Sequence, residues 1–367
     1  MRTNPDKIQA LRSPLTIALL VASVISAGRA LSQPEARPRF DEQMEVTEVL
    51  LDVVVTDRGG NLIVGLEPSD FVVLEGDREM ELTGVDFYTT RYESAGSGVA
   101  EIPASRYIVF FFDDTRTISN RFNRLIQQQI KAARDARKWI EEEMQPSDWV
   151  AVTGYGMKLK VFQDFTQNRE ALTQALTDAS RGINPEKYRL AQEPTSDSGA
   201  SLLRHLPAGK ELSRKTRRIY SGMRLLADAM GHIVGRKTLF YFGIGFGKLD
   251  GVGGFAIPDR RYYPDMERAL NDNNVAVYPV DLTVHSARHA QSDFLNALAY
   301  DTGGVYHRHF VSFFTPIKSI ADESVGYYLL SYRSEHPQGE SGYQRITVGA
   351  KVSGAVVRAQ RGYRYGS

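Results

Sequence analysis

The sequence predicts an α/β protein. It should have a doubly wound, mostly parallel, Rossmann-like sheet and a small β-sandwich formed by strands from both chain ends. Three observations predict this. Tyr107-Ile108-Val109-Phe110-Phe111-Phe112 is an unbroken apolar run without alternation, which suits a strand buried on both faces in the middle of a parallel sheet. From about 105 to 325, such runs alternate with segments whose apolar residues recur every three or four positions, the pattern of strands linked by helical crossovers. Outside that span, residues 44–100 and 326–365 carry strand-like runs only.

The elements follow in order. Residues 1–30 read as a signal peptide: Lys7 and Arg12 precede an apolar run from Leu15 to Ala27, and Gly28-Arg29-Ala30 supplies small residues for a cleavage point. The run is short for a membrane span, so no integral span is expected after cleavage. Residues 31–43 are polar and proline-bearing, a linker. Val46 to Thr56 is strand-like, Asp57-Arg58-Gly59-Gly60-Asn61 is turn chemistry, and Phe71 to Leu74 and Met80 to Tyr88 are short strands around Glu75-Gly76-Asp77. These strands make half a sandwich and need partners from elsewhere in the chain.

After the buried strand, Phe122, Leu125, Ile126, Ala133, Ala136, Ile140 and Met144 mark an amphipathic helix, ended by Pro146-Ser147-Asp148. Trp149 to Tyr155 is the next buried strand, with Leu159 to Phe162 as a short hairpin partner. Asn168 is placed to cap a helix carrying Ala171, Leu172, Ala175 and Leu176. Gly, Pro, Ser and Asp break the pattern over about 180–212, read as an insertion. A helix from about Lys215 to Val234 leads through Gly235-Arg236-Lys237 to the strand Thr238–Phe242. The glycines at 243, 245, 247, 251, 253 and 254 predict a flexible loop on the sheet's carboxyl edge. Then come a helix from Tyr263 to Asn271, a strand from Val275 to Val280, and a helix from about Gln291 to Thr302 closed by Gly303-Gly304. A strand Val305-Tyr306-His307 and a helix around Ser312–Ser324 complete this part. Strands return at Tyr327–Arg333, Tyr343–Val352 and Val356–Gln360.

Composition narrows the function. The chain has 367 residues, 42% hydrophobic and 24% charged, with a formal net charge of +1. Without residues 1–30, 41 basic side chains face 43 acidic ones, a net −2. No basic field invites nucleic acid. There is no cysteine, which excludes disulfides, thiolate metal sites, a cysteine nucleophile and a lipid anchor on cysteine. The expected location is secreted or periplasmic.

Ligands of open α/β sheets bind beyond the carboxyl ends of the strands. There the central run meets Asp113, Asp114, Thr115, Arg116 and Thr117. A carboxylate followed at two and four residues by hydroxyls offers hard oxygen donors suited to Mg²⁺ or Mn²⁺. His285 and His289 are four apart, and His307 and His309 two apart, but no His-Glu-x-x-His arrangement accompanies them, and they read as solvated surface. The glycine loop lacks the Gly-Lys-Ser/Thr of a phosphate cradle, and no Gly-x-Ser-x-Gly elbow supports a hydrolase triad.

Several short motifs fall together in one order: Leu51-Asp52-Val53-Val54-Val55-Thr56-Asp57 with Gly65-Leu66 and Asp70-Phe71, the strand ending in Asp113, and Gly235-Arg236-Lys237. Asn274-Val275-Ala276-Val277-Tyr278-Pro279-Val280-Asp281, Thr302-Gly303-Gly304, Tyr327-Tyr328-Leu329-Leu330-Ser331-Tyr332 and Arg361-Gly362-Tyr363 continue the series. In this order, over about residues 46–362, the chain resembles the von Willebrand factor type A (vWA) domain family, specifically the bacterial exported VWFA-related (acidobacterial) domain proteins. The resemblance implies an Asp-x-Ser-x-Ser motif that binds a divalent cation, helped by a Thr and an Asp from later loops. An acidic side chain of a protein partner completes the coordination. Asp113, Thr115 and Thr117 fit the first motif, with Thr for Ser, and Thr216 is placed as the later Thr. The later Asp is missing, with Gly243-Ile244-Gly245 in its place, and Asp114 or Asp281 would have to compensate.

The expectation is therefore an exported binding module, not an enzyme, that docks a protein ligand on the carboxyl edge of its sheet. The cofactor would be Mg²⁺, with Mn²⁺ or Ca²⁺ as alternatives, at a degenerate site, and Asp114, Arg116, Gly245 and Asp281 would line the rim. Two other readings stand beside it. One is a metal-assisted hydrolase using Asp113, Asp114, Asp281 and His285, His289 or His307. The other is a structural envelope protein with a non-functional site.

Overall fold

The computed structural model describes residues 44–89, 101–103, 105–114, 123–182, 199–249, 254–283, 289–308, 311–337 and 339–366. Residues Gln43–Ser367 form one compact unit. In chain order its elements begin with β1 (Met44–Thr56), β2 (Phe71–Glu75), β3 (Arg78–Met80), β4 (Leu82–Thr89) and β5 (Glu101–Pro103). Next come β6 (Arg106–Asp113), α1 (Asn123–Glu142), β7 (Asp148–Tyr155), β8 (Leu159–Thr166), α2 (Arg169–Arg181), α3 (Gly209–Lys215) and α4 (Ile219–Met230). They are followed by β9 (Lys237–Gly243), β10 (Lys248–Leu249), β11 (Ala256–Ile257), α5 (Tyr263–Asp272), β12 (Val275–Asp281), α6 (Ser292–Asp301) and α7 (Phe314–Glu323). The last are β13 (Gly326–Pro337), β14 (Gly342–Ala350), β15 (Val356–Ala359) and β16 (Gly362–Tyr365).

The apolar run is the middle strand of a five-stranded sheet, in the order β12-β9-β6-β7-β8. All neighbours are parallel except the β7–β8 hairpin at one edge. Counting strands within this part alone, the order is 5-4-1-2-3, that of a doubly wound sheet whose first strand lies centrally. Alternation sends Val109 and Phe111 to one face, packed with residues of α4, α5 and α6. Ile108, Phe110 and Phe112 point to the other face, against α1, α2 and α7. Both faces are thus covered, which is why the run needs no polar residue until its end. At its start, Arg106 donates from two nitrogens to Asp148 on β7 (2.5 and 2.6 Å) and from a third to the Ala321 carbonyl (2.5 Å). This buried fork fixes the β6–β7 register.

Strands from the two chain ends pair with each other, β1 with β13 and β15. Strands β15, β1, β13, β4 and β5 form one sheet and β16, β14, β2 and β3 another. One core is shared between them, built from Leu51, Val53, Val73, Tyr328, Leu330 and Ile346 among others. Asp52 and Val54 on the opposite face of β1 are buried too. There Asn274 Nδ2 donates to Asp52 Oδ2 (2.9 Å), and Arg236 reaches the Gly303 carbonyl (2.9 Å). The Gly235-Arg236-Lys237 and Asn274 motifs therefore belong to the contact between β1 and the α/β sheet.

Several expectations need correction. The segment 180–212 is not wholly an excursion: α2 runs to Arg181, α3 opens at Gly209, and residues 199–206 return to the body. They return because Asp164 on β8 accepts from Ser201 Oγ (2.6 Å), Leu202 N (2.7 Å) and Leu203 N (3.2 Å). Residues 183–198 lie outside the described ones. The helix expected from about Lys215 to Val234 is α4, which starts only at Ile219 and ends at Met230, after a separate α3 that closes at Thr216. Asn168 does cap α2, accepting from Ala171 N. Val305-Tyr306-His307 forms a single parallel bridge to β12 and not a strand. Gly304 brings the chain so close that a Cβ there would lie 1.9 Å from the Val277 carbonyl oxygen. Part of the glycine loop is pinned: Gln291 accepts from Gly247 N–H (2.8 Å) and donates to its carbonyl (3.2 Å), and β10 and β11 pair as a ribbon.

Candidate functional site

Strand registers set a row across the carboxyl edge. Asp113 is level with Tyr155 on β7, Phe112 with Phe242 on β9, and Gly243 with Asp281 on β12. Two carboxylates of the row, Asp113 and Asp281, thus end strands separated by β9.

Asp113 is buried, and its Oδ2 accepts a 2.6 Å hydrogen bond from the Tyr241 phenol. Burial pushes its carboxyl up to about 7, against the pull of that hydrogen bond, and the neighbouring Asp114 adds to the rise. Tyr241 is itself fully buried and driven well above the usual phenol range, first by burial and then by the Asp113 charge. The Gly245 backbone also bonds to that hydroxyl. The phenol is therefore a permanent proton donor, fixed between β9 and Asp113.

This arrangement gives a physical reason for the missing aspartate. A Cβ on Gly243 would meet Tyr241 Oη at 2.5 Å and Asp113 Cβ at 2.9 Å. The phenol fills the space that a side chain at 243 would need. Sequence reading noted the glycine and missed the tyrosine; the signal was a lone hydroxyl inside the apolar strand Leu239–Phe242.

Asp114 turns to the β7–β8 side. Its backbone N–H donates to the Tyr155 carbonyl (2.7 Å), and its Oδ2 lies 4.0 Å from Lys160 Nζ. Thr216 is buried with its hydroxyl committed, accepting from Leu159 N–H (3.1 Å) and donating to the Leu212 carbonyl (2.7 Å). Gly245 has a positive φ of 95° and packs against Gln291. Thr115, Arg116 and Thr117 lie outside the described residues. The structure thus brings together Asp113, Asp114 and Gly243, and sets Asp281 in the same row.

Asp281 anchors a second cluster. Its Oδ2 accepts from His289 Nε2 (2.6 Å) and from the Tyr306 hydroxyl (2.6 Å), and its Oδ1 accepts from Thr283 N (2.8 Å). Burial alone would raise this carboxyl, but these three hydrogen bonds outweigh it and hold it below the usual range. Gln291 N–H donates to His289 Nδ1 (3.2 Å), so the neutral ring carries its proton on Nε2. The expectation of solvated surface histidines is corrected here: His289 is bound on both nitrogens, and His307 is largely buried, pushed down to about 4 by burial and the nearby Arg358. His285 and His309 lie outside the described residues.

The implied cation can be tested against these donors. A hard divalent ion needs about six oxygens. Position 243 supplies none, Thr216 is spent between α3 and β8, and one Asp113 oxygen holds the phenol. Among the described residues no group of three His, Asp or Glu is placed to hold a metal ion. The described residues therefore do not complete a hard-cation site.

The sheet order, the central strand ending in an aspartate and the helices on both faces define a doubly wound α/β domain, the fold class that the resemblance implies. No protein-family model matches the chain, and no curated protein matches it. It is similar in structure to an aerotolerance-related membrane protein from Bacteroides fragilis, at 14% identity and a TM-score of 0.36, over 60% of this chain and 98% of that one. It is similar to the vWF domain of the type V pili tip protein Mfa5 from Porphyromonas gingivalis, at 14% identity and TM-score 0.25, over 39% of each chain. Proximal thread matrix protein 1 from the mussel byssus, with a zinc-occupied MIDAS motif, matches at 11% identity and TM-score 0.35, over 60% and 48%. At such identities and scores the likeness does not extend to activity, ligand or partner.

Proposed function

We propose that this is an exported vWA-like binding module whose protein partner docks on the carboxyl edge of the five-stranded sheet, over Asp113 and Asp114. The observation that carries this reading is Asp113. It is a carboxylate at the end of the central strand, held by a neutral phenol and pushed towards the uncharged form. A cation or strong donor brought by a partner would stabilise its charged form. Arg116, Gly245 and Asp281 would line the rim. The two sheets built from the chain ends would act as a small β-sandwich adaptor beside the domain. Secretion or a periplasmic location rests on residues 1–30. Among the described residues no helix is long and apolar enough to cross a membrane.

A bound Mg²⁺, Mn²⁺ or Ca²⁺ is the finer form of the proposal, with Asp113, Thr115 and Thr117 as its donors. The hydrolase reading has one supporting observation, the His289–Asp281 contact. Against it, both ring nitrogens of His289 are already engaged, so it has none left to act as a base. Binding is the better-supported reading.

Two measurements test it. In capture from cell-envelope extracts, the wild type should retain a partner that Asp113→Ala and Asp114→Arg lose and that Arg364→Glu, remote from this edge, keeps. Equal retention by all four would remove the docking edge. Titration calorimetry with each cation decides the finer form: no heat, and no change on Asp113→Ala, would leave docking without a metal.

A further inference from the structure

Between α4, α5 and the start of β14 lies a groove that the carboxyl-edge site does not use. Its wider part encloses about 520 Å³. A second part of about 300 Å³ continues along the same helices to Tyr220 and Tyr262, and Arg224 and Asp265 line both parts. Such volumes suit a small ligand, and clefts between structural layers are where ligand sites gather.

The lining sets the chemistry. Arg224, Arg268 and Arg364 face Asp228 and Asp265 in the wider part, an excess of one guanidinium. Arg268 is paired with Asp265, and Arg364 is held by Asp272 outside the groove (3.1 Å). The side chains of Arg224 and Asp228, one turn apart on the exposed face of α4, make no hydrogen bond or ion pair among the described residues, and Asp228 feels the charges of Arg224 and Arg364 at longer range. A ligand therefore meets one uncommitted planar donor fork and one uncommitted acceptor. Ser341 and Ser221 place hydroxyls beside them.

The half-buried rings of Tyr262 and Tyr343 add flat surfaces, and Arg218 and Arg261 stand over the Tyr262 ring at 4.7 and 5.2 Å. Of the lining residues only Leu225 and Ala269 are aliphatic. A peptide would draw its affinity from apolar pockets or an open strand edge. The groove has few apolar groups, and its β14 residues, Gly342 and Tyr343, are already paired with β16. Sugar hydroxyls both donate and accept, so they answer guanidinium and carboxylate at once. A ring carboxylate matches the uncommitted Arg224 guanidinium with two parallel hydrogen bonds.

We propose that this groove binds an acidic saccharide, with its carboxylate on Arg224 and its hydroxyls on Asp228 and the serines. The proposal does not rest on the docking reading of the carboxyl edge. The test is titration calorimetry of the purified protein with a uronic-acid trisaccharide, its carboxyl-reduced counterpart, and a peptide of three glutamates. The acidic saccharide should bind, the reduced form at least tenfold more weakly. Arg224→Gln should weaken binding at least tenfold and Asp228→Asn should weaken it too, while Arg78→Ala, at an exposed position on β3, leaves it unchanged. Both groove positions are exposed, and circular dichroism checks that the variants remain folded. No binding at millimolar saccharide, peptide binding as tight as the saccharide's, or full affinity in Arg224→Gln would overturn the proposal.

Discussion

The two ends of β6 bury charge in opposite ways. At the amino end, Arg106 meets Asp148 in a two-pronged ion pair closed off from water. At the carboxyl end, Asp113 meets only a phenol among the described residues, beside a second carboxylate. A buried charge with a fixed counter-charge is complete, and its removal damages the fold. A buried carboxylate answered by a neutral donor still has a charge state that an incoming group can change. On the docking proposal, one strand thus carries a structural end and a receptive end. The contact between β1 and the α/β sheet sides with the amino end: Asp52 lies near Arg236 and Lys237.

The contrast can be broken by experiment. Arg106→Ala should be the most damaging change, lowering unfolding free energy by about 3–5 kcal/mol in denaturant titration, because it strands Asp148. A loss under about 1 kcal/mol would mean that the amino end is not the structural one.

Next comes the pH dependence of the β1 contact. Burial pushes Asp52 up to about 6, against Arg236 and Lys237, and pushes Lys237 down to about 8, against Asp52. For Asp52 the folded value lies above the unfolded 3.8. Its stabilising contribution is therefore full below that value and is lost as pH climbs through about 6. Lys237 has the opposite sense: its contribution is present above 10.5 and lost as pH falls through about 8. Of these two groups only Asp52 titrates between pH 4 and pH 7, and the other groups cancel in the comparison, so the stability of Asp52→Asn relative to wild type should rise by roughly 3 kcal/mol over that window. A pH-independent difference would show that Asp52 is not desolvated there.

At the receptive end the effects should be smaller. Gly243→Ala forces a methyl into the Tyr241–Asp113 contact and should destabilise by about 1–3 kcal/mol. Tyr241→Phe removes one hydrogen bond to the carboxyl and should cost about 1–2 kcal/mol. If either matched the loss from Arg106→Ala, the carboxyl end would be as structural as the amino end. Smallest of all, Lys160→Ala relaxes a 4.0 Å contact with Asp114 and should stay within about 1 kcal/mol while altering partner capture.

The fold was largely legible in the residues. The unbroken run at 107–112, the helical spacing after it and the strand-only ends place the central strand, both helix layers and the union of the termini. These features are local periodicities tied to burial, and periodicity is written along the chain. Less legible were single-residue anchors. Asp164, which draws residues 199–206 back onto β8, looks like any surface acid until its three donors are counted. His289 looked solvated because the partner that binds it, Asp281, faces it only after β12 ends.

By itself the sequence determined where a site should be: an aspartate where the central apolar strand meets solvent, with a glycine in place of a later acid. Only the tertiary structure decided what surrounds that aspartate. Tyr241 is 128 positions from Asp113 along the chain. Strand pairing puts its phenol on the carboxyl group and fills the space a side chain at Gly243 would take. Such a contact depends on register between strands, and no spacing within either strand encodes it.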